Sequence, residues 1–348
     1  MKALVYEGPR QMPLKDVPPP EVVHVDDVII QVAYSGICGS ELSGFLGQNS
    51  LRKPPAIFGH EFSGTIVALG SQAETRYGLA AGMRVTANPL ITCGHCAYCT
   101  EGEPQLCPER RLLGAALPGS HAEWLKVPAQ NVYPLPPSVT LAQGALVEPI
   151  AYAAHVASLT QAVRRGTALI LGMGPIGLFV LQALKAEGWP TVWAAESHEE
   201  RRRMALDMGA ESVWDPVHMS VAEAAREQTQ GRGVDLVVDA VGLTPTRQQA
   251  VSAARSGGTV IWSGLHDNDS ILPVHDMIRR EIRALGAFAY TPQDFSRALS
   301  WLANGTVGLK SDWMVQAPLE AGAQWFAALI AGAAPGVAKV LLSPHGSA

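Results

Sequence analysis

The sequence predicts a mixed α/β protein of two domains, an irregular antiparallel β-barrel and a doubly wound parallel sheet. Two observations predict this fold class. In the N-terminal part, short β-branched runs alternate with clusters of proline and glycine, which is typical of an antiparallel barrel. Between residues 166 and 264, continuous apolar strands end in glycine turns, as expected for parallel strands covered by helices on both faces. The length of 348 residues suits about two domains.

The first domain is assigned to residues 1–150. Proline clusters such as Pro18–Pro20 and Pro54-Pro55 separate its apolar runs, and a helical connector is predicted over residues 140–160. The predicted strands are Val22–Val25, Val28–Val32, Thr65–Leu69 and Arg84–Ala87.

Four of the five cysteines form a lobe over residues 93–107, at Cys93, Cys96, Cys99 and Cys107. The C-x2-C-x2-C-x7-C spacing brings four thiolates close enough to complete the tetrahedral shell that structural zinc favours. Glycines and prolines in the loop exclude a regular helix or strand, so a metal would supply the order. Two disulfides or a four-thiolate iron–sulfur cluster are the alternatives, although two-residue gaps strain disulfide partners.

The fifth cysteine, Cys38, lies between glycines that imply a tight turn after a predicted strand. His60 and Glu61 open a later β-rich run. Taken singly, Cys38 reads as a small buried hydrophobe and His60 as a turn histidine. Together the three residues supply sulfur, nitrogen and oxygen donors, the ligand set of a catalytic zinc that keeps one position open. Their separation in sequence does not establish that they converge.

A glycine-rich motif begins the second domain, which is assigned to residues 151–288. It follows the predicted strand Thr167–Leu171 and precedes the predicted helix Leu178–Glu187, the setting in which such a motif binds a dinucleotide. The pyrophosphate would rest on the helix N-terminus. The next strand, Thr191–Ala195, ends at Glu196, where an acid accepts hydrogen bonds from the adenosine ribose. The motif consists of Gly172, Gly174, Pro175, Ile176 and Gly177.

Further βα units follow the motif. Apolar strands are predicted at Asp235–Gly242 and Gly258–Gly264. The predicted helices are Glu199–Met208, Val221–Thr229 and Arg247–Ala254. Residues 289–348, with a predicted helix Ala321–Ala331 and a predicted strand Ala338–Leu342, are expected to return to the first domain.

Composition excludes several classes of partner. Hydrophobic residues make up 47% of the chain, which is ample for two cores, and a net charge of −5 gives no basic footprint for nucleic acid. The one basic run, Arg201–Arg203, is interpreted as a solvated helix face. No stretch of ~18 apolar residues would span a membrane. We therefore expect a cytoplasmic protein with a small-molecule substrate.

These residues together resemble one family, the zinc-dependent medium-chain alcohol dehydrogenases, and within it the polyol and threonine dehydrogenase branch. The resemblance covers essentially the whole chain and implies a GroES-like barrel followed by a Rossmann domain. Residues 44–64 are most similar to galactitol-1-phosphate dehydrogenases, and sorbitol dehydrogenases are further relatives. The segments that carry the resemblance are Gly36–Ser40, Gly59–Glu61, the cysteine lobe, Val147–Pro149 and the glycine motif.

The resemblance implies two zinc ions per chain and NAD, and it assigns roles to individual residues. Cys38 and His60 match ligands of the catalytic zinc, and either Glu61 or Glu148 would complete its shell. Ser40 matches the hydroxyl that passes the substrate proton toward the nicotinamide ribose. The structural zinc would be held by Cys93, Cys96, Cys99 and Cys107. The dinucleotide would be held by the glycine motif with Ile176, Glu196, Arg201, Val241, Ser263, Gly264, Leu265, Phe288 and Ala289.

Three positions depart from the family pattern. Glu41 stands where relatives usually have aspartate, which lengthens a side chain beside the metal. Ser43 stands where threonine and sorbitol dehydrogenases carry a histidine associated with proton relay. His121 stands where the family usually has phenylalanine; a polar substrate contact and a solvated turn histidine are the two interpretations.

The implied activity is hydride transfer between NAD and a secondary alcohol, which would be a polyol, a sugar alcohol or its phosphate, or a vicinal diol. A threonine-type dehydrogenase, a quinone reductase and a non-catalytic NAD-sensing zinc protein remain alternatives. Arg52 and Lys53 are available for a phosphorylated substrate, although paired bases are more often merely solvated. Because relatives assemble as dimers or tetramers, we expect a homo-oligomer.

Overall fold

The computed structural model describes residues 1–346 and confirms the predicted fold class. The chain forms two units. The first comprises Met1–Glu148 together with the chain from Thr291 onwards, and the second comprises Pro149–Tyr290. In the part of the chain described, no helix is long and apolar enough to cross a membrane.

The N-terminal part of the first unit is built mainly of short strands. They are β1 (Lys2–Tyr6), β2 (Leu14–Asp16), β3 (Asp27–Gly36), β4 (Ala56–Ile57), β5 (Glu61–Leu69), β6 (Arg84–Ala87), β7 (Leu90–Ile91), β8 (Arg111–Leu112), β9 (Trp124–Pro128) and β10 (Val132–Pro134). The helices are α1 (Gly39–Phe45), α2 (Ser71–Tyr77), α3 (Ala97–Thr100) and α4 (Leu141–Gly144), with 3-10 turns at Pro104–Leu106 and Ala129–Asn131.

Helix α5 (Val147–Leu159) leads into the second unit, where strands and helices alternate. The strands are β11 (Thr167–Leu171), β12 (Thr191–Ala195), β13 (Ser212–Trp214), β14 (Val234–Asp239), β15 (Ala254–Trp262) and β16 (Arg283–Gly286). The helices are α6 (Pro175–Ala186), α7 (Glu199–Asp207), α8 (Val221–Gln228), α9 (Thr244–Ala253) and α10 (Val274–Arg279).

The last segment returns to the first unit. Its helices are α11 (Pro292–Ala303) and α12 (Gly322–Ile330), its strands β17 (Met314–Pro318) and β18 (Lys339–Ser343), and its 3-10 turns Ser311–Trp313 and Leu319–Ala321. Strand β18 pairs antiparallel with β3, where Leu341 lies opposite Gly36, so the end of the chain completes a sheet that the first 140 residues begin.

The main sheet of the first unit has the order β10-β6-β5-β3-β18-β17, with β9 also paired to β3. Its longest pairing, β3 with β5, is antiparallel and continues until Gly36 lies opposite Glu61. Apolar side chains of both strands, including Val28, Ile30 and Phe62, are fully buried in one core. The pairing therefore fixes the end of β3 beside the start of β5.

The second unit has a six-stranded parallel sheet in the order β13-β12-β11-β14-β15-β16. Central strands such as β11 and β14 are buried almost throughout, as expected where helices cover both faces. This is the doubly wound topology in which a ligand binds at the carboxyl ends of the strands, where the order reverses.

One predicted strand is wrong. Residues 22–25 form no strand, although three of the four are valines. The Asp27 carboxylate accepts hydrogen bonds from the backbone N–H groups of Val23 and His24, both at 2.9 Å, and bends the segment into a turn. The predicted connector over residues 140–160 is two helices, α4 and α5, rather than one.

Candidate active site

The strand pairing of the first unit brings three of the predicted ligands together. Cys38 follows β3 and precedes α1, whereas His60 and Glu61 lie at the start of β5. Since Gly36 and Glu61 are directly opposite, the two segments meet, and donor atoms of Cys38, His60 and Glu61 all lie within 4.8 Å of one another. A Cβ atom on Gly36 would lie 2.4 Å from Glu61 Oε2, so a glycine is required beside this carboxylate.

Glu41 holds His60 in place. Its Oε1 lies 2.8 Å from His60 Nδ1 and accepts the Gly59 N–H at 2.8 Å, while its Oε2 accepts the Cys38 N–H at 3.1 Å. The pairing through Nδ1 leaves Nε2 of His60 available to a metal. Burial acts to raise the pKa of Glu41, but the neighbouring imidazoles of His60 and His121 hold it well below its ordinary value. The carboxylate is therefore ionised. Burial acts to lower the pKa of His60, but the charges of Glu41 and Cys38 raise it well above its ordinary value.

Lys339, which sequence reasoning missed, neutralises Glu61. Its ammonium donates to both Glu61 oxygens, at 2.9 and 2.6 Å, and to the Ile37 carbonyl at 3.3 Å. Both side chains are buried. Burial acts to lower the pKa of Lys339, but the negative charges of Glu61, Cys38 and Glu148 raise it. A lysine at the start of an otherwise apolar terminal strand was the available signal.

Glu148 is not among the donors that lie within 4.8 Å of one another. It occupies the first turn of α5 and is half-buried, and its charge contributes to the raised pKa of Lys339. Of the two candidate carboxylates, the structure places Glu61 with Cys38 and His60.

Ser40 and Arg52 form the next layer around Cys38. The Ser40 hydroxyl donates to the Cys38 sulfur at 3.5 Å and accepts from Arg52 Nη2 at 3.2 Å. Arg52 also donates to the Ser40 carbonyl at 3.1 Å, and its guanidinium lies over the Phe58 ring. Ser43 donates its hydroxyl to the same carbonyl at 3.0 Å. Arg52 is thus buried against the site and not a solvated surface base, and Ser43 serves the backbone of α1.

The donor set fits a catalytic zinc. A thiol, an imidazole nitrogen and a carboxylate are the ligand types this ion accepts, and the imidazole already has the carboxylate partner that zinc-binding histidines usually have. Glu61 is paired with Lys339, so its negative charge is neutralised whether or not the carboxylate contacts a metal.

The cysteine lobe has the dimensions of a zinc–thiolate site. The sulfur of Cys93 lies 3.9 Å from that of Cys99 and 3.6 Å from that of Cys107, and the ligand atoms of all four cysteines lie within 4.8 Å of one another. A tetrahedral site with Zn–S bonds of about 2.3 Å requires sulfur separations of about 3.8 Å. A disulfide requires about 2.05 Å, so the geometry does not fit the disulfide alternative.

The thiols of the lobe affect one another's pKa. Backbone N–H groups of His95 and Cys96 lower the pKa of the Cys93 thiol to about 6. The backbone N–H of Cys99 acts in the same direction on Cys96, but burial and the adjacent thiols raise its pKa to about 12. Without a cation, one thiolate therefore suppresses ionisation of its neighbour.

In the second unit the glycine motif has the geometry of a pyrophosphate site. Gly172 has φ of +89°, and a Cβ on Gly177 would lie 1.9 Å from the Gly172 carbonyl oxygen, so the turn packs too closely for other residues. Helix α6 begins at Pro175, directly after Gly174, and directs its first N–H groups toward the turn. Ile176 is half-buried in its first turn.

Glu196 is tied to this turn. Its Oε2 accepts the Met173 N–H at 2.8 Å, and its Oε1 accepts the His198 N–H at 2.9 Å and the Ser197 hydroxyl at 3.2 Å. The carboxylate is buried at the end of β12. It therefore places a fixed negative charge beside the glycine turn.

The other predicted cofactor residues surround the same sheet edge. Gly264 packs against the backbone of Val241, whose side chain lies beside Gly172. Ser263 donates to the Asp239 carbonyl at 3.1 Å. Leu265 is 80% exposed and Phe288 40%, and Ala289 has φ of +48°. Arg201 is half-buried on α7, and its side chain forms no hydrogen bond or ion pair with the residues described.

Comparison with known proteins supports this reading. Residues 24–137 match the family model of the alcohol dehydrogenase GroES-like domain, and residues 175–304 match that of zinc-binding dehydrogenases. D-xylulose reductase A of Aspergillus oryzae is 31% identical over 318 residues, which cover 88% of this chain and 87% of that protein. D-arabitol-phosphate dehydrogenase of Enterococcus avium is 32% identical over 315 residues, covering 89% and 88%.

A solved structure agrees over the whole length. A protein described as a zinc-binding dehydrogenase from Sinorhizobium meliloti 1021, bound to NADP, superposes with a TM-score of 0.86 at 30% identity and covers 99% of both chains.

Proposed function

This chain belongs to the zinc-dependent medium-chain alcohol dehydrogenases, and we propose that it transfers a hydride between a polyol-type secondary alcohol and NAD. One observation carries the proposal: the fold brings Cys38, His60 and Glu61 together, although 21 residues separate Cys38 from His60 in the sequence. A redox-silent NAD-binding protein has no need of that donor group.

The roles of the residues follow from their contacts. A zinc ion held by Cys38, His60 and Glu61, with Glu148 as the alternative carboxylate, would supply the Lewis acidity that lowers the pKa of an alcohol hydroxyl. Glu41 orients His60, and Lys339 provides the counter-charge for Glu61. The nicotinamide supplies the hydride-accepting carbon.

Ser40 is the group that would receive the substrate proton. Arg52 donates to its oxygen, so one lone pair of the hydroxyl is occupied and its own hydrogen points toward Cys38. Arg52 remains charged throughout the working pH range and cannot accept the proton itself. The Ser43 hydroxyl donates to the Ser40 carbonyl and not to the Ser40 hydroxyl, so it does not continue a relay from that hydroxyl.

The direct test is a substrate panel with zinc-replete protein, followed by nicotinamide absorbance. We expect turnover of one or more polyols or vicinal diols, with threonine as the amino-alcohol alternative. Absence of hydride transfer across the panel, with two equivalents of zinc bound, would favour the NAD-sensing alternative.

Arg52 favours an acidic substrate, such as a polyol phosphate, as a second candidate. Within the described residues, no carboxylate lies within 4 Å of its guanidinium, and its Nε has no hydrogen-bond partner although the side chain is only 4% exposed. A buried cation without a counter-charge is costly, and an anionic group on the substrate would provide one. Gly44 makes room for the Arg52 side chain, because a Cβ on residue 44 would lie 2.6 Å from Arg52 Cδ.

We expect Arg52→Met to reduce kcat/KM for a polyol phosphate about 10- to 100-fold more than for the unphosphorylated polyol, as expected for a lost charged hydrogen bond. The methionine keeps the packing of the stem on Phe58. Lys53→Met, at the exposed neighbouring position, is the matched control. Equal losses on both substrates would assign Arg52 to the support of Ser40 alone.

NAD, and not NADP, is the proposed cofactor, because Glu196 places a fixed negative charge where the adenosine ribose is expected. A 2′-phosphate at ~4 Å would cost up to about 4 kcal/mol at an effective dielectric near 20. One feature favours NADP instead. Arg202 and Arg203 are paired with Asp215 and Glu199, whereas Arg201 remains available to bind the 2′-phosphate.

We expect wild-type kcat/KM to be higher with NAD, and Glu196→Ser to shift the NAD/NADP ratio toward NADP by about tenfold or more. Glu199→Ser, on the exposed face of α7, should leave the ratio unchanged. A wild-type preference for NADP that Arg201→Ala abolishes would reverse the cofactor assignment.

A homo-oligomer is proposed from the edge of the parallel sheet. Strand β16 is the outermost strand and its four residues are exposed, while α10 buries none of its residues. Nearby, Ile271 and Ile278 are 82% and 68% exposed. An exposed strand edge flanked by apolar side chains pairs readily with a second chain.

Ile278→Lys is therefore expected to convert a dimer or tetramer into smaller species in sedimentation experiments. Val67→Lys, at an exposed apolar position of the first unit, controls for the added charge. A wild-type monomer at micromolar concentration would refute the proposed assembly.

A cytoplasmic location is proposed from the lobe. Four neighbouring thiols keep their metal-binding form in a reducing compartment, whereas an oxidising one would favour disulfides.

A further inference from the structure

The carboxylate of Glu41 has partners on two sides. On one side, Oε1 lies 2.8 Å from His60 Nδ1 and accepts the Gly59 N–H. On the other side, Oε2 accepts the Cys38 N–H at 3.1 Å and faces His121 Nε2 at 3.4 Å. The side chains of Glu41 and His121 are fully buried, so solvent supplies neither group with a partner.

The other ring nitrogen of His121 and the ring itself are also held by neighbouring side chains. Its Nδ1 lies 2.8 Å from the Ser35 hydroxyl, which is also 2.6 Å from the Ser120 hydroxyl, and its ring meets Phe326 edge-on. The Nε2–Oε2 approach is within ion-pair distance but lacks hydrogen-bond geometry, and in the described chain Nε2 has no hydrogen-bond partner. The ring is thus held so that its free nitrogen points at Glu41.

We propose that Glu41 and His121 form a matched pair that positions the zinc ligand His60. These are two of the three positions at which the sequence departs from the pattern it resembles, and the structure brings them into contact. A glutamate reaches one methylene further than an aspartate, so its second oxygen extends toward residue 121. An apolar ring there would leave that buried oxygen with the Cys38 N–H alone.

The consequence for His60 is mechanical and electrostatic. A carboxylate that binds the second nitrogen of a zinc-bound histidine fixes the ring orientation and its tautomer, and loss of such a partner typically lowers metal affinity or activity by about 10- to 100-fold. His121 lies outside the donor group of Cys38, His60 and Glu61 and faces Glu41. It is a positioning residue that acts through Glu41.

The pair is tested by a double-mutant cycle of Glu41→Asp, His121→Phe and the double variant. The primary readout is the affinity of the catalytic site for Co²⁺, followed by its visible absorption, with kcat and KM as the second readout. We expect each single change to weaken Co²⁺ binding by roughly 10-fold or more and to lower kcat more than KM. The double variant should bind Co²⁺ clearly better than the product of the two single losses predicts. It contains neither the longer carboxylate without its imidazole partner nor the imidazole without its carboxylate partner.

His121→Gln keeps an N–H donor without the ring and should recover part of the affinity that His121→Phe loses. Thermal unfolding of the metal-free variants separates folding from positioning. Additive losses in the double variant, or a His121→Phe protein that melts lower but binds Co²⁺ as the wild type does, would overturn the pairing.

The inference rests on the zinc site of the proposed function, and the two fail differently. Wild-type protein that binds no Co²⁺ at this site would refute the proposed function. Wild-type binding with an additive cycle would refute only the pair.

Discussion

Cys38→Ala is expected to abolish nearly all turnover while the protein remains folded. Loss of the thiolate leaves an imidazole and a carboxylate already held by Lys339, which is too few ligands to retain zinc. Metal catalysis supplies several kcal/mol, and about 4 kcal/mol corresponds to roughly 10³-fold in rate. Metal analysis should find one zinc per chain in place of two.

The fold should survive because the Cys38 sulfur contributes little to it. Its contact with the Ser40 hydroxyl is long, at 3.5 Å, and Glu61 keeps its ion pair with Lys339 when the metal is absent. We expect the thermal midpoint to move by no more than about 3 °C, the shift that ~1 kcal/mol causes in a domain of this size. Turnover within tenfold of wild type in a variant that has lost one zinc would refute the catalytic assignment.

Sequence reasoning was most accurate where strands are buried on both faces. Strands β11 and β12 have the predicted bounds, because each is an apolar run that is followed directly by a glycine or an acid. The exposed strand β16 was missed because its residues, Arg283–Gly286, carry no apolar pattern. Helix α11 had a usable signal: Thr291 and Asp294 form a capping box at its start.

Residue type and spacing identified candidates for the site, but not their neighbours. Cys38, His60 and Glu61 were selected because their donors suit one metal, and the β3–β5 pairing then supplies the proximity. Lys339 lies 278 residues from Glu61, and no local pattern links them.

The same limit applies to interpretation of single side chains. His121 resembles a solvated turn histidine, yet the fold buries it against Glu41. Arg52 resembles a surface base, yet it is buried against Ser40. His121 meets a partner 80 residues away (121 − 41), and Arg52 folds back on one 12 residues away, so the charge environment of both emerges only with the tertiary structure.

Cys107→Ser is expected to release the second zinc and loosen the lobe. Cys107 is fully buried, with its sulfur 3.6 Å from that of Cys93, and three thiolates leave an incomplete shell. The lobe contains only one turn of α3 and a 3-10 turn, while Tyr98 and Leu106 are exposed, so little apolar burial replaces the metal. Amide exchange across residues 93–107 should rise by at least about 100-fold, which corresponds to roughly 3 kcal/mol of local stability.

His95→Ala is the matched control for the lobe. His95 is exposed and lies with Cys93 and Glu109 in an alternative group of donors, so its loss tests whether the metal is held by four cysteines or by that mixed group. We expect His95→Ala to keep both zinc ions and Cys107→Ser to keep only the catalytic one.

Unchanged metal content and unchanged amide exchange in Cys107→Ser would show that the loop is ordered without zinc. Two zinc ions in Cys107→Ser but one in His95→Ala would assign the metal to the mixed group. Iron in place of zinc in the wild type would restore the cluster alternative.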